Sequence, residues 1–395
     1  MTEPNRTEML NMLPPPDTTS RKAVAISCGL LVLVMVAWTS VCAGLLSVGS
    51  FVADPVLAVF SGLSAVALAI PYGLVILWLD RNEKEPPLLM LSAFLWGAVI
   101  ATMISYILNT TAGVMISGVV TNAQIANQLT ASFSAPLVEE TAKGAAMIAL
   151  YLMFRHHLDN VLDGVVYGAL VGLGFAVFEN FIYYVNTGSL SGALQLVCIR
   201  GVITSPGTHA CFTAITGASI GMFRVMRSGV MRWFLPPAGL ATAMFVHFSW
   251  NTFTAFFVTD SFIGNLVYGL PMAVVVLQAP FVMLVLLVSG LALWHETSLI
   301  ERFLKSERPP VLHDDELSSL IPARRRSLKS MRLLLTGQLR GWWLVRRRNA
   351  LLIELAFEKW HMDAEAALGD TSARVHAGRV VEIRKELGAM AAPPA

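Results

Sequence analysis

Charge is scarce along most of this chain. Charged residues make up 14% of its 395 residues, well below the roughly one quarter of an ordinary soluble domain. The shortage is uneven. Residues 1–294 carry 11 Lys or Arg and 13 Asp or Glu, whereas residues 295–395 carry 17 and 13. Apolar runs of 20 to 25 residues without a charge remain, which argues against an ordinary soluble fold. Cysteine is also sparse. The four, Cys28, Cys42, Cys198 and Cys211, sit in or beside apolar runs with no CxxC spacing, so neither a disulfide scaffold nor a zinc ribbon is supported. No HExxH motif and no GxSxG elbow occurs, so the zincin and serine-hydrolase chemistries have no foothold. A cleavable signal peptide needs a short apolar stretch and a small-residue site soon after it. Here Arg21 and Lys22 precede more than 20 apolar residues, the pattern of an uncleaved first span.

What is present is apolar sequence, 55% of the chain, arranged in lengths that cross a membrane. At 1.5 Å per residue, eight candidate spans are expected at 24–47, 55–79, 88–110, 132–154, 161–184, 199–223, 234–257 and 268–294. The fold class is all-α, a polytopic transmembrane helix bundle of about eight spans. Residues 1–22 read as a disordered cytoplasmic tail, 23–294 as the membrane domain and 295–395 as a charged, basic cytoplasmic region. Gly113 to Ala131 reads as an interfacial or partly inserted stretch. Lys and Arg fall in alternate loops (Arg81 and Lys84, Arg155, then Arg224, Arg227 and Arg232). By the positive-inside rule this places both termini in the cytoplasm of an inner or plasma membrane.

Ionisable residues inside a membrane are costly and mark functional sites. Span 4 carries Glu139, Glu140 and Lys143. Span 5 carries Asp163 and Glu179, span 6 begins with Arg200 and holds His209, and span 7 holds His247 and Asn251. Following the chain's alternating direction, Glu139, Glu140, Glu179, His209, His247 and Asn251 come to one layer in the outer half of the membrane. Glu139 and Lys143 are spaced i,i+4, Glu140 and Lys143 i,i+3, and His247 and Asn251 i,i+4, so each pair shares a helix face. Asp163, near the cytoplasmic end of its span, reads as a cap or an interface contact. Gly164, Gly168, Gly172 and Gly174 give span 5 small-residue faces for close helix approach.

Two hydrolytic chemistries fit this set. In one, zinc is held by Glu179, His209 and His247, with another glutamate as base. In the other no metal takes part; a glutamate oriented by histidine activates water, while His247 and Asn251 stabilise the oxyanion. A proton-coupled transporter using the same Glu, Lys and His residues, and a non-catalytic scaffold, are the competing classes; clear internal repeats, which the former would favour, are not seen.

At these residues the sequence resembles the PrsW family of intramembrane proteases, related to the CAAX-processing and bacteriocin-immunity protease superfamily. APLVEETAKG carries its EExxK motif as Glu139, Glu140 and Lys143. Phe175 and Glu179 match its FxxxE motif, His209 its third motif, and His247 with Asn251 in HFSWN its last. The resemblance covers about residues 75–257. It implies an endopeptidase whose partner is a membrane-protein substrate cut within or near the membrane, with an anti-sigma factor or another envelope protein as the substrate class. Outside that core, the basic clusters Arg324–Arg326 and Arg346–Arg348 with Trp342 and Trp343 suggest attachment to anionic lipid. No recognition motif accompanies them, and no nucleic acid is expected as a partner.

Overall fold

Helices account for all the regular structure in the computed structural model, which describes residues 54–390 apart from 156, 204–206, 227–228, 258–263, 265–266, 268 and 367–372. The expected N-terminal tail and the first expected span lie outside the described residues. The described chain falls into two compact units, divided at Gly290 and Leu291.

The first unit is a multi-pass membrane helix bundle. Helix α1 (Pro55–Leu79) opens with Asp54 accepting from the Leu57 amide, followed by proline in the first turn, where the missing amide hydrogen costs nothing. Helix α2 (Pro87–Ser117) contains a π-helical turn at Trp96–Ala101. A short α3 (Ala123–Leu129) leads through a second π turn, Thr130–Ser134, into α4 (Ala135–Phe154). Then come α5 (Val161–Val185), α6 (Leu190–Leu196), α7 (Gly207–Val225) and α8 (Leu235–Phe257). Helix α9 (Ala279–Leu304) crosses the division between the units.

Four helices among the described residues are long and apolar enough to cross a membrane: Pro55–Leu79, Pro87–Ser117, Val161–Val185 and Val274–Leu304. This corrects the expectation of about eight spans. Three expected spans, now α4, α7 and α8, fail as independent apolar crossings for one physical reason: they carry the polar residues. Glu139, Glu140 and Lys143 lie in α4, His209 in a 19-residue α7, and His247 and Asn251 in α8. Their polar groups face one another and not lipid, so these helices need the bundle around them.

Helix α5 is the axis of the unit. It is buried without interruption from Leu162 to Ala176 and packs on α1, α2 and α7. The glycines explain how. A Cβ at Gly172 would sit 2.1 Å from the His209 carbonyl oxygen, and one at Gly174 would sit 1.9 Å from that of Phe94. Only hydrogen allows such backbone approach. Gly164 and Gly168 meet α7 in the same way, so the expected small faces serve two neighbours, α7 and α2. Asp163 does cap: its carboxylate accepts from the amides of Asp159 and Asn160, while Asn160 accepts from Leu162 and Asp163, a reciprocal capping box.

The second unit contains α10 (Asp314–Leu320), α11 (Ala323–Leu335), α12 (Leu339–Ala366) and α13 (Ala373–Ala389). Its core joins Leu351, Leu352, Leu355, Ile383 and Leu387 with Ile300 and Leu304 from the end of α9. Arg348 is buried at its centre. It binds Glu316 through Nε at 2.5 Å and Nη2 at 2.8 Å and donates to the Leu387 carbonyl. Burial would raise the Glu316 carboxyl, but the bonds from Arg348 outweigh it and hold the group below its usual range.

Candidate active site

The polar layer assembles where α4, α5, α7 and α8 meet, toward the Ala135 end of α4 and the Val185 end of α5. Its apolar floor is set by Ala101, Ala142 and Phe175, with Trp96 packed against them, and by Phe212, Ala243 and Val246. Trp96 fixes α2 to α4 by donating from Nε1 to the Ala142 carbonyl at 3.1 Å. On this floor Lys143 is fully buried, with its ammonium 4.2 Å from the centre of the Phe175 ring. The phenylalanine of the FxxxE motif is thus a platform, favourable to a desolvated cation.

Lys143 organises three helices. Its Nζ donates to Glu140 Oε1 at 2.5 Å and contacts His209 Nδ1 at 3.2 Å, with Glu139 Oε2 at 3.8 Å. An ammonium has only donors, so His209 Nδ1 must accept. That leaves Nε2–H of His209 to donate to Glu179 Oε2, 2.9 Å away. His247 takes the opposite tautomer. Its Nδ1 lies 2.9 Å from Glu140 Oε1, and a carboxylate can only accept from it. The free Nε2 lone pair of His247 then faces Glu139 Oε2 at 3.8 Å. The two imidazoles meet edge to face at 5.1 Å.

The adjacent glutamates therefore occupy different environments. Glu140 is 1% exposed and anchored by Lys143 and His247. Glu139 lines a cavity of about 260 Å³, where its Oε2 is buried without a hydrogen-bond partner. Its other oxygen has the Asn109 amide at 3.4 Å. Glu179, His209 and Asn251 line the same cavity. The Asn251 amide donates to the Ala131 carbonyl at 2.9 Å, holding α8 to the π turn before α4.

Sequence reasoning left two contributors out of the site. Arg200, seen only as an intramembrane charge, donates to Glu179 Oε2 at 2.6 Å and to Asn180 Oδ1 at 3.0 Å, and lies over Tyr183. Asn109 bonds Ser134 as well as facing Glu139; a lone amide in the apolar run of α2 was its signal. Within this site, the ligand atoms of Glu139, His209 and His247 all lie within 4.8 Å of one another. The expected metal set had Glu179 in place of Glu139. Glu179 is instead engaged by His209 and Arg200. The cluster suits a cation: its free elements are a partnerless buried carboxylate oxygen and the imidazole lone pair facing it.

A model of the PrsW family intramembrane metalloprotease matches residues 85–285, about half the chain and all of this site. The chain belongs to this family. Among curated PrsW proteases, that of Geobacillus kaustophilus is 30% identical over 143 residues, which is 36% of this chain and 57% of the relative. That of Clostridioides difficile is 30% identical over 146 residues, 37% and 58% of the two chains. That of Bacillus subtilis is 27% identical over 146 residues, 37% and 60%. The chain thus spans somewhat more than half the length of these PrsW relatives. No solved structure matches it.

Proposed function

We propose that this protein is an intramembrane endopeptidase that hydrolyses a peptide bond of a membrane-protein substrate. The observation carrying the reading is the division of labour between Glu139 and Glu140. Glu140 fixes the His247 ring through Nδ1, while Glu139 presents an unpartnered oxygen beside the other nitrogen of that ring. A water admitted beside them would meet two acceptors, the Glu139 carboxylate and the oriented His247 lone pair 3.8 Å away, and the low-dielectric surroundings would strengthen both interactions.

The water oxygen attacks the carbonyl carbon as Glu139 takes its proton. The resulting tetrahedral carbon collapses, its C–N bond breaks, and the proton passes to the departing nitrogen. One new carboxyl and one new amine result. A zinc ion would use the Glu139 oxygen and the free Nε2 of His247 as ligands, with His209 joining on release of its Lys143 or Glu179 contact, and would take over from Glu139 the activation of the water. Lys143 offsets the charge of the buried carboxylates, and Arg200 together with His209 holds Glu179 in place.

Orientation follows from charge. Arg81, Lys84, Arg155 and Arg232 lie beyond, and Arg224 in the last turn of, the ends of α1, α4, α5, α7 and α8 that are opposite the site. Assigned to the cytoplasm, they leave the cavity toward the external face, in keeping with cytoplasmic termini. That side suits cleavage of an envelope protein, an anti-sigma factor being one such class. Terminal proteomics of native-host membranes carrying wild type or Glu139→Gln tests the function. New N-termini within or beside single spans, present only with wild type, are expected. Identical terminomes would reject the protease reading.

A further inference from the structure

Between Ala323 and Ala350 the chain carries nine Lys or Arg and no Asp or Glu. The structure divides these cations by role. Arg348 is consumed by Glu316, and Arg347 bonds Glu386. Arg346 lies over the Trp342 ring. The second basic cluster is therefore largely engaged within the unit, although only Arg348 is buried. Arg324, Arg325, Arg332 and Arg340 are exposed, as are Arg346 and Arg347, but the first four are not tied to a neighbouring carboxylate or ring by a described contact.

Helix α11 presents these cations beside an apolar ridge. Leu333 is its buried residue. On the opposite face Leu328, Met331 and Leu335 recur at i, i+3 and i+7, and are 54%, 55% and 80% exposed. At 100° per residue Arg324 falls within this ridge and Arg325 and Arg332 along its border. Just beyond the turn at Gly337, Leu339 and Trp343 extend the exposed apolar surface into α12.

We propose that this face of α11 and the start of α12 docks on an anionic bilayer surface. The charge sign fits acidic headgroups. An apolar ridge bordered by arginines, whose aliphatic stems lie along apolar surface while their heads stay at the headgroups, fits the interface better than a flat aqueous contact. Chain connectivity supplies proximity. The membrane-crossing helix Val274–Leu304 leads directly into this unit, so bilayer contact is intramolecular and loses little to dilution. The proposal is independent of the protease reading.

The test uses full-length protein in nanodiscs of phosphatidylcholine alone or with roughly one-third phosphatidylglycerol. An environment-sensitive fluorescent amino acid replaces Leu335. Docking predicts blue-shifted emission, quenched by spin-labelled lipid, only in the anionic nanodiscs and reversed by high salt. The triple variant Arg324→Glu, Arg325→Glu, Arg332→Glu should abolish the shift, since each surface cation contributes about fivefold to association. All three are exposed, so its thermal transition should match wild type. A probe that stays in water in both nanodiscs overturns the proposal and assigns the face to a protein partner. An equal shift in both lipids, or a shift surviving in the triple variant, also overturns it.

Discussion

Exchanging Glu139 and Glu140 separately for glutamine should give two distinct failures, although the residues are adjacent and chemically identical. Glu140 Oε1 binds the Lys143 ammonium at 2.5 Å and His247 at 2.9 Å, with Lys143 fully buried. Neutralising it leaves a desolvated cation without its main counter-charge. Removing one member of a buried pair costs about 3–5 kcal/mol. At about 2–4 °C per kcal/mol for a unit of this size, the expected drop in Tm is about 6–20 °C. Glu139 Oε2 has no hydrogen bond to lose, and its contact with Lys143 is 3.8 Å. Glu139→Gln should therefore shift Tm by no more than about 2 °C, corresponding to under 1 kcal/mol. Its cleavage rate should nevertheless fall about 10²–10⁴-fold, as for loss of a general base. Purified variants would be compared by intrinsic-fluorescence melting and by cleavage of a substrate identified by terminal proteomics. Full cleavage by Glu139→Gln, or equal stability of the two variants, would refute the division of labour.

Arg200→Ala should lower cleavage about 10–100-fold by freeing Glu179, while Arg200→Lys, retaining the charge without the fork, should recover part of it; turnover with each variant decides this. Gly172→Ala should destabilise the bundle by about 1–3 kcal/mol, because the added carbon would sit 2.1 Å from the His209 carbonyl oxygen; a lower Tm checks it, and an unchanged one would refute the close crossing. The purified protein should retain about one zinc per chain, with His209→Ala and His247→Ala each reducing it on elemental analysis; equal metal in wild type and both variants would reject the proposed ligand set. Glu316 and Glu307 are both held below their usual range, burial being outweighed by Arg348 for one and by Arg384 and Lys359 for the other. Their stabilisation is full above the unfolded value of about 4.3 and fades as pH falls through the folded values. Acid should thus loosen the unit after Leu291, and Glu316→Gln should weaken it at neutral pH, both readable by hydrogen exchange in α12 and α13.

By itself the sequence determined that the chain is helical and membrane-embedded, because long uncharged runs have few other stable solutions. It also placed the six residues of the polar layer together, since helix rise and alternating direction convert position along a span into depth. Asp163 as a cap and the glycines of α5 as contact faces were legible too, each following from local chemistry. The span number was not, because hydropathy cannot separate a helix that meets lipid from one that hides polar residues among its neighbours. Only tertiary structure decided that Glu139 and Glu140 part company, that Glu179 is claimed by Arg200 and His209, and that Arg348 belongs to a core. Each is a choice of partner from another helix. Sequence separation does not encode it; helix packing does, in the bundle through the close backbone crossings at Gly172 and Gly174.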